Sequence, residues 1–366
     1  MNRDLPRWVD IGLIPLINLA LALFVSGLVV VFIGEDPIRA VRVLVTGALG
    51  SDYGIGYTLF YTTTFIFTGL AVAVAFHASL FNIGGEGQAS IGGLGVALVC
   101  LSLDWSHWVL VFPLAILGGA VFGAAWAAVP AYLQARRGSH IVITTIMFNF
   151  IASALLVYLL VNVMKVEGSM APETRKFNEG AHLPFMHEIV GWFGGTMSNT
   201  PMNLSFFWAL LCAVFVWFLI WRARFGYSER AFGFQDAASI YAGMSPYRLT
   251  MVSMMISGAL AGQMGLNVVM GGYSQKLVLD AVQGAGFVGI AVALMGRNHP
   301  VGVVLAALLF GVLYQGGAEL AFEMPAISRE MIVVIQALVI LFTGALENMV
   351  RMPVERLFQR LRREAE

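Results

Sequence analysis

Three clusters of hydrogen-bonding side chains stand in stretches that are otherwise apolar. Asn82, Glu86 and Gln88 lie in FNIGGEGQ, residues 81–88. Thr144, Thr145 and Asn149 lie in VITTIMFNFIA, residues 142–152, and Gln263 and Asn267 follow SGALAG, residues 257–262. Thr145 and Asn149 are four apart, as are Gln263 and Asn267, so on a helix each pair shares a face. Amides and hydroxyls of this kind can hold the polar groups of a small solute weakly enough to release them. The same groups can instead join one membrane helix to another. Glu86 stands among Gly84, Gly85 and Gly87. It is expected to cap the helix that follows, whose first amides carry partial positive charge, with Asn82 and Gln88 holding neighbouring backbone groups. Lining a solute pathway and carrying a proton are its rival roles.

Bond-making chemistry finds no comparable cluster. A nucleotide-binding P-loop needs a lysine after glycine to reach the phosphates, and Lys165, Lys176 and Lys276 follow Met164, Arg175 and Gln275. Gly284 to Gly289 satisfies G-x-G-x-x-G but opens an apolar run, where a dinucleotide site needs a preceding strand and a distal acid. Close helix packing explains those glycines better. The six histidines are scattered without ligand spacing, and Cys100 and Cys212 sit inside apolar runs. No metal site, no cofactor and no catalytic residue is expected on this chain.

The elements that position the polar clusters follow from composition. Of 366 residues, 59% are hydrophobic and 11% charged, and mean hydropathy is +0.81. Soluble domains carry roughly 25% charged residues, so the chain reads as an all-α polytopic membrane protein. Net charge is zero, and nothing suggests a nucleic-acid partner. Ten spans fit the apolar runs, at about 11–33, 56–76, 86–104, 108–134, 142–164, 205–222, 249–269, 284–296, 301–317 and 330–348. The first, too long for a signal-peptide core, is expected to be retained; the eighth must be short or broken.

An even number of spans puts both termini on one side. Fourteen basic residues then share that side, among them Arg3, Arg7, Arg136, Arg137, Arg222 and the tail from Arg351 to Arg363, against seven on the other. The positive-inside bias makes that side cytoplasmic. Residues 1–350 are thus expected to form one transmembrane domain with an external loop at 165–204 and a cytoplasmic loop at 222–248. A basic tail, 351–366, follows. Spans 2–5 and 7–10 are offset by an odd number and carry Thr68-Gly69-Leu70-Ala71 and Ser257-Gly258-Ala259-Leu260 at matching places. Glycine breaks follow each, an arrangement expected of an inverted repeat around a transport pathway. Gly119-x-x-x-Gly123 and Gly258-x-x-x-Gly262 read as close-packing motifs.

The cytoplasmic loop contains a short helical pattern from Asp236, stopped by Gly243 and Pro246. Such a helix can dock into a groove on a soluble partner or rest on the membrane surface. Here the sequence resembles the permeases of ABC importers for branched-chain amino acids, ribose and nucleosides. Their pattern A-V-G-E-N, A-A, Y-A-G, S-G-A-L-A-G is met by Ala231, Gly233, Ala237, Ala238, Tyr241, Ala242, Gly243 and Ser257–Gly262. Phe234 and Gln235 replace the usual acid and amide. FNIGGEGQ resembles the family's F-N-I-G-x-E-G-Q, and VITTIMFNFIA resembles a stretch typical of its nucleoside and simple-sugar branch. The insertion at 165–204 is similar to that of the larger permease of nucleoside systems.

The resemblance implies a permease subunit in a bacterial inner membrane that forms the pathway for nucleosides or simple sugars. It also implies a separate ATPase subunit that carries the ATP, a second permease (paralogous or identical) and an external binding protein. Coupling to the ATPase would fall to Arg230, Ala231, Gly233, Ala237, Ala238, Tyr241 and Gly243. The competing reading is a secondary carrier or channel without an ATPase partner, which would share the broken repeat but not need the docking segment.

Overall fold

The computed structural model describes residues 6, 9, 13–342 and 349–356; the side chains of residues 15, 329 and 340 are also outside the description. Arg3, Arg7, the last residues of the tenth expected span and most of the basic tail therefore lie outside the described residues. Fourteen α-helices follow one another among those described. They are α1 (Ile14–Ile33), α2 (Pro37–Leu49), α3 (Asp52–His77), α4 (Gly85–Ser102), α5 (Trp108–Arg137), α6 (Ile141–Tyr158) and α7 (Met186–Trp192). Then come α8 (Ser205–Trp221), α9 (Arg224–Phe234), α10 (Asp236–Tyr241), α11 (Pro246–Gly262), α12 (Ala285–Met295), α13 (Pro300–Glu323) and α14 (Arg329–Ile340). Single π-helical turns extend α6 over Leu159–Val163 and follow α11 at Leu266–Met270.

Six of these helical stretches are long and apolar enough to cross a membrane: Leu16–Ile33, Asp52–His77, Trp108–Arg137, Ile141–Val163, Pro246–Met270 and Pro300–Glu323. Helices α8 and α9 form a pair bent by 69°, and α12 is short, with 11 residues, as its apolar run requires. The chain is thus a helical, polytopic membrane protein. The sequence reading provided for no helix at α2, although its start signal is complete: the Asp36 carboxylate accepts the Ile38 amide at 2.9 Å, and Pro37 opens the first turn.

The chain divides into two units. In the unit of residues 1–54 and 312–366, Val30, Val43, Leu320, Met324, Ile332 and Ile335 share an apolar core. A Cβ on Gly47 would strike the Glu319 side chain there.

In the unit of residues 55–311, burial separates inner from outer helices. Of the most apolar 18 residues in the span Pro246–Met270, 72% are buried, against 17% of those in Ile141–Val163, which presents Ile143, Met147, Phe150 and Ile151 outward. Four threonines of α3, Thr62, Thr63, Thr64 and Thr68, turn their hydroxyls onto carbonyls four residues back, which satisfies them without breaking the apolar environment. Helices α4, α5 and α11 meet at bare backbone. A Cβ on Gly262 would collide with the Gly119 carbonyl, one on Gly123 with the Gly258 carbonyl, and one on Gly92 with Gly262 itself. The two small-x-x-x-small motifs thus pack against each other, with dispersion contact where larger side chains would hold the helices apart.

The segment 165–204 is folded onto this unit. Phe177, Ala181 and Leu183 enter its main core beside Leu277. Thr174 exchanges backbone and hydroxyl bonds with Leu277, and Lys276 pairs with Glu173 at 2.7 Å. The insertion therefore pins the irregular chain between Gly271 and Gly284.

Candidate functional site

The glycine bend at FNIGGEGQ folds into a knot of interlocking caps. Asn82 Oδ1 accepts the Gly84 amide at 2.9 Å, and its Nδ2 donates to Gln88 Oε1 and Ser257 Oγ, both at 2.8 Å. Gln88 returns a bond to Asn82 Oδ1. Asn149, reaching across from α6, accepts the Gly87 amide and donates to the Ile83 carbonyl, both at 2.9 Å. The first amides of α4 are thus served by Asn82 and Asn149.

Glu86 does something else. Its two carboxylate oxygens accept the amides of Gly284 and Gly286, each at 2.8 Å. It therefore caps α12, the opposing half-helix, and the expectation that it caps its own helix is corrected. The reason is steric. Gly286 lies so close that a Cβ on it would strike the Glu86 backbone, so the two helix starts meet end to end. An acid at that junction answers the partial positive charge of α12. Bidentate charge-assisted bonds of this kind are among the stronger ones.

Against the knot lies a cavity of about 100 Å³ whose wall includes Glu86, Ser90, Asn149, Ser153 and Asp280. Asp280 sits at φ +59°, in the left-handed region, where a non-glycine residue often marks a functional constraint. Ser90, Ser153 and Asp280 escape sequence reading: single serines in apolar helices are common, and Asp280 reaches the cavity wall only through the fold of its loop.

The other polar positions divide between the knot and the rest of the bundle. Thr145 is buried against Gly84, its hydroxyl on the Ile141 carbonyl at 2.8 Å, and Thr144 bonds its own helix likewise. Gln263 accepts from Trp208 Nε1 at 2.9 Å and donates to the Ile116 carbonyl at 3.0 Å. Asn267, on the π-turn, donates to the Phe60 carbonyl and Thr64 Oγ1 and accepts from Asn203 and Ser205. Asn82, Glu86, Gln88, Thr145 and Asn149 therefore gather in one place. Gln263 and Asn267 belong to a second, interhelical network.

At the far end of α3 lies the segment 222–248. Helix α9 turns back from α8 and closes at Gly233, where a Cβ would meet the His77 carbonyl; Ser79 Oγ donates to the Gly233 carbonyl at 2.6 Å. Glu229 of α9 is buried beside Ser253 of α11, and burial pushes its carboxyl up to about 7. Helix α10 follows, over Asp236–Tyr241, and ends at Gly243 with φ +81°, as the glycine stop signal required. Phe234 and Tyr241 are 93% and 97% exposed. Among the described residues no three His, Cys, Asp or Glu side chains gather as metal ligands.

Comparison with known proteins decides what this architecture is. Residues 54–344 match the family model described as branched-chain amino acid transport system, permease component. The chain belongs to this family. It is 38% identical to the guanosine ABC transporter permease protein of Bacillus subtilis, over 91% of this chain and 93% of that one. It is 33% identical to the glucose ABC transporter permease of Haloferax volcanii, over 93% and 89%, and 33% identical to a nucleoside ABC transporter permease of Lactococcus lactis, over 90% of each. No solved structure matches it. This permease is a subunit of an ABC importer, and its partners are those of an ABC system.

In the permease, the segment just before the knot at residues 81–88 meets the segment 231–243 through the Ser79–Gly233 bond. One departure from the family pattern, Phe234, now has a place: it is an apolar ring in the open at the end of α9. Gln235 caps α10 with its backbone, in an extended conformation at φ −157°, and nothing in the structure explains its side chain.

Proposed function

We propose that the permease forms the translocation pathway for nucleosides, with simple sugars as the second substrate class, in the inner membrane of a bacterium. On this reading both termini are cytoplasmic, the ten apolar runs all contribute to the membrane domain of residues 1–350, and 165–204 is external. No cofactor is held by this chain. ATP is bound and hydrolysed on a separate ATPase subunit; a second permease, paralogous or identical, flanks the pathway, and an external binding protein delivers the substrate.

The observation that carries the reading is the elbow α9–α10. It places Phe234 at the end of α9, and Ile240 and Tyr241 on the short helix α10, in the open. An apolar helix face of this size is what a groove on a partner recognises. The inverted repeat is supported by packing. Gly69 of α3 meets Val303 of α13, as Gly258 of α11 meets Ala127 of α5, and the helices that follow each, α4 and α12, begin at the same junction. The similarity to permeases named for guanosine and nucleosides supports the substrate class.

Mechanistically, ATP favours one arrangement of the paired ATPases and, through α10, one arrangement of the permeases; only that difference in affinity can shift the equilibrium. Motion of α10 is carried by α9 to the Gly233–Ser79 contact, three residues before Asn82. The Glu86 latch on Gly284 and Gly286 and the cavity beside it lie beyond. Opening the latch would widen the cavity into the pathway, with Ser90, Ser153 and Asn149 on its wall.

The test is reconstitution of the permease with its partners in proteoliposomes, with ATP inside and the loaded binding protein outside. ATP-dependent guanosine or uridine uptake supports the reading. Uptake that persists without ATP or ATPase would make the chain a secondary carrier.

A further inference from the structure

A second polar groove, of about 520 Å³, lies where the segment 165–204 meets the turn before α5. Small-molecule sites occupy roughly 300–1,000 Å³, so a whole nucleoside fits here, as it does not in the closed cavity beside Glu86. Three aromatic residues stand on its wall: Trp108 at the start of α5, Phe185 at the start of α7 and Trp192 at its end. Phe185 is buried, its ring 5.4 Å from that of His187, so it serves as floor. Trp192, in contrast, is 65% exposed and contributes little to packing where it stands.

Polar groups are placed among the rings. Gln275 holds the Nδ1 side of His182 through its amide, while His182 Nε2 is buried with no hydrogen-bond partner. Burial lowers the pKa of His182, and Lys176 lowers it further, against the pull of Glu188 and Glu179. The neutral form of the ring is thereby favoured, with Nδ1 engaged by Gln275 and Nε2 left without a partner. Glu188 is fixed by accepting the Phe185 amide at 2.9 Å and keeps further acceptor capacity.

We propose that this groove is an external loading site for a nucleoside, its base against Trp108 and Trp192 and its ribose hydroxyls on Glu188. The proposal rests on the permease reading above. Planar faces beside a neutral ring nitrogen and an amide match the face and edge of a base. A carboxylate that only accepts matches the hydroxyls of a ribose. Glu179 and Glu188 outnumber Lys176 at the groove, so a phosphorylated nucleoside is disfavoured.

The experiment is direct binding to the full chain in lipid nanodiscs, titrated with guanosine, guanosine monophosphate and glucose, followed by uptake through the reconstituted importer. Saturable guanosine binding is expected, weakened about tenfold or more in Trp192→Ala, as for loss of one stacking partner. Glu188→Gln should weaken guanosine and relax the exclusion of guanosine monophosphate. In the importer, the KM for guanosine carried by its binding protein should rise in Trp192→Ala. Trp192 is exposed, and an unchanged melting temperature would establish that the variant folds. Should Trp192→Ala and Trp108→Ala both bind and take up guanosine like the unaltered chain, the groove proposal is overturned and the permease reading stands. Were the unaltered importer to carry glucose and no guanosine, the nucleoside reading would fail and the groove would lose its ligand with it.

Discussion

Two regions of the larger unit solve opposite problems. Where α4, α5 and α11 cross, glycine meets glycine, and backbone touches backbone at Gly92, Gly119, Gly123, Gly258 and Gly262. At the elbow α9–α10 the same chain leaves Phe234 and Tyr241 almost entirely open. The first region gains contact by having no side chains, and in a bilayer, where apolar burial gives no net drive, that contact is what holds helices together. The second leaves large side chains uncovered, as the docking proposed above requires. A change in the first region should cost folding, and one in the second should cost coupling alone.

The largest effect is expected from Gly262→Leu. The obstacles are the Gly119 carbonyl and the Gly92 backbone, neither of which can swing aside, so the cost should exceed the roughly 1–3 kcal/mol of ordinary overpacking. Monodisperse protein on size exclusion in mild detergent should be lost; normal recovery would show the helices can separate without penalty. Next is the double change Phe234→Ala and Tyr241→Ala. Substrate-stimulated ATPase activity should fall by at least about tenfold, the scale of truncating interface anchors, while the melting temperature stays the same. Stimulation at the original level would remove the elbow as the docking site.

Between these extremes lies the Glu86 latch. Glu86→Gln keeps one acceptor of two and should cost about 1.5–3 kcal/mol, the range for a hydrogen bond to a charged group, read as a lowered melting temperature with most guanosine uptake retained. Complete loss of uptake in a normally assembled complex would make the carboxylate a substrate ligand first and a cap second. The smallest effect is expected at Glu229. Because its carboxyl is raised to about 7 by burial, its contribution to stability is complete at acid pH and is lost as pH climbs from the ordinary carboxylate range through 7. Glu229→Gln should therefore melt at the same temperature as the unaltered protein at pH 5 and higher than it at pH 8. Equal melting at both pH values would mean that Glu229 is solvated.

Much of this was legible in the residues. Apolar run length identified a polytopic helical protein, since only continuous helices or closed barrels satisfy the backbone in lipid. The stop signal of Gly243 and Pro246 placed the end of α10 to within a residue or two, because such signals act through local backbone geometry. Helix α2 was equally legible in Asp36-Pro37 but carries charge and no spanning length, so a search for spans passes it by. The sequence also marked FNIGGEGQ as a capping element, yet could not say whose amides Glu86 serves. Gly284 and Gly286 are nearly 200 residues away, and only the meeting of the starts of α4 and α12 brings them within 2.8 Å. The same holds for Gln263 and Asn267. Their spacing put each on the face of a helix, but whether that face looks into a pathway or onto Trp208 and Asn203 is decided by which helices pack there. Local propensity and hydrophobic pattern are properties of neighbours in sequence; the partner of a buried polar group is chosen by tertiary packing, because in a medium without water every such group must find one.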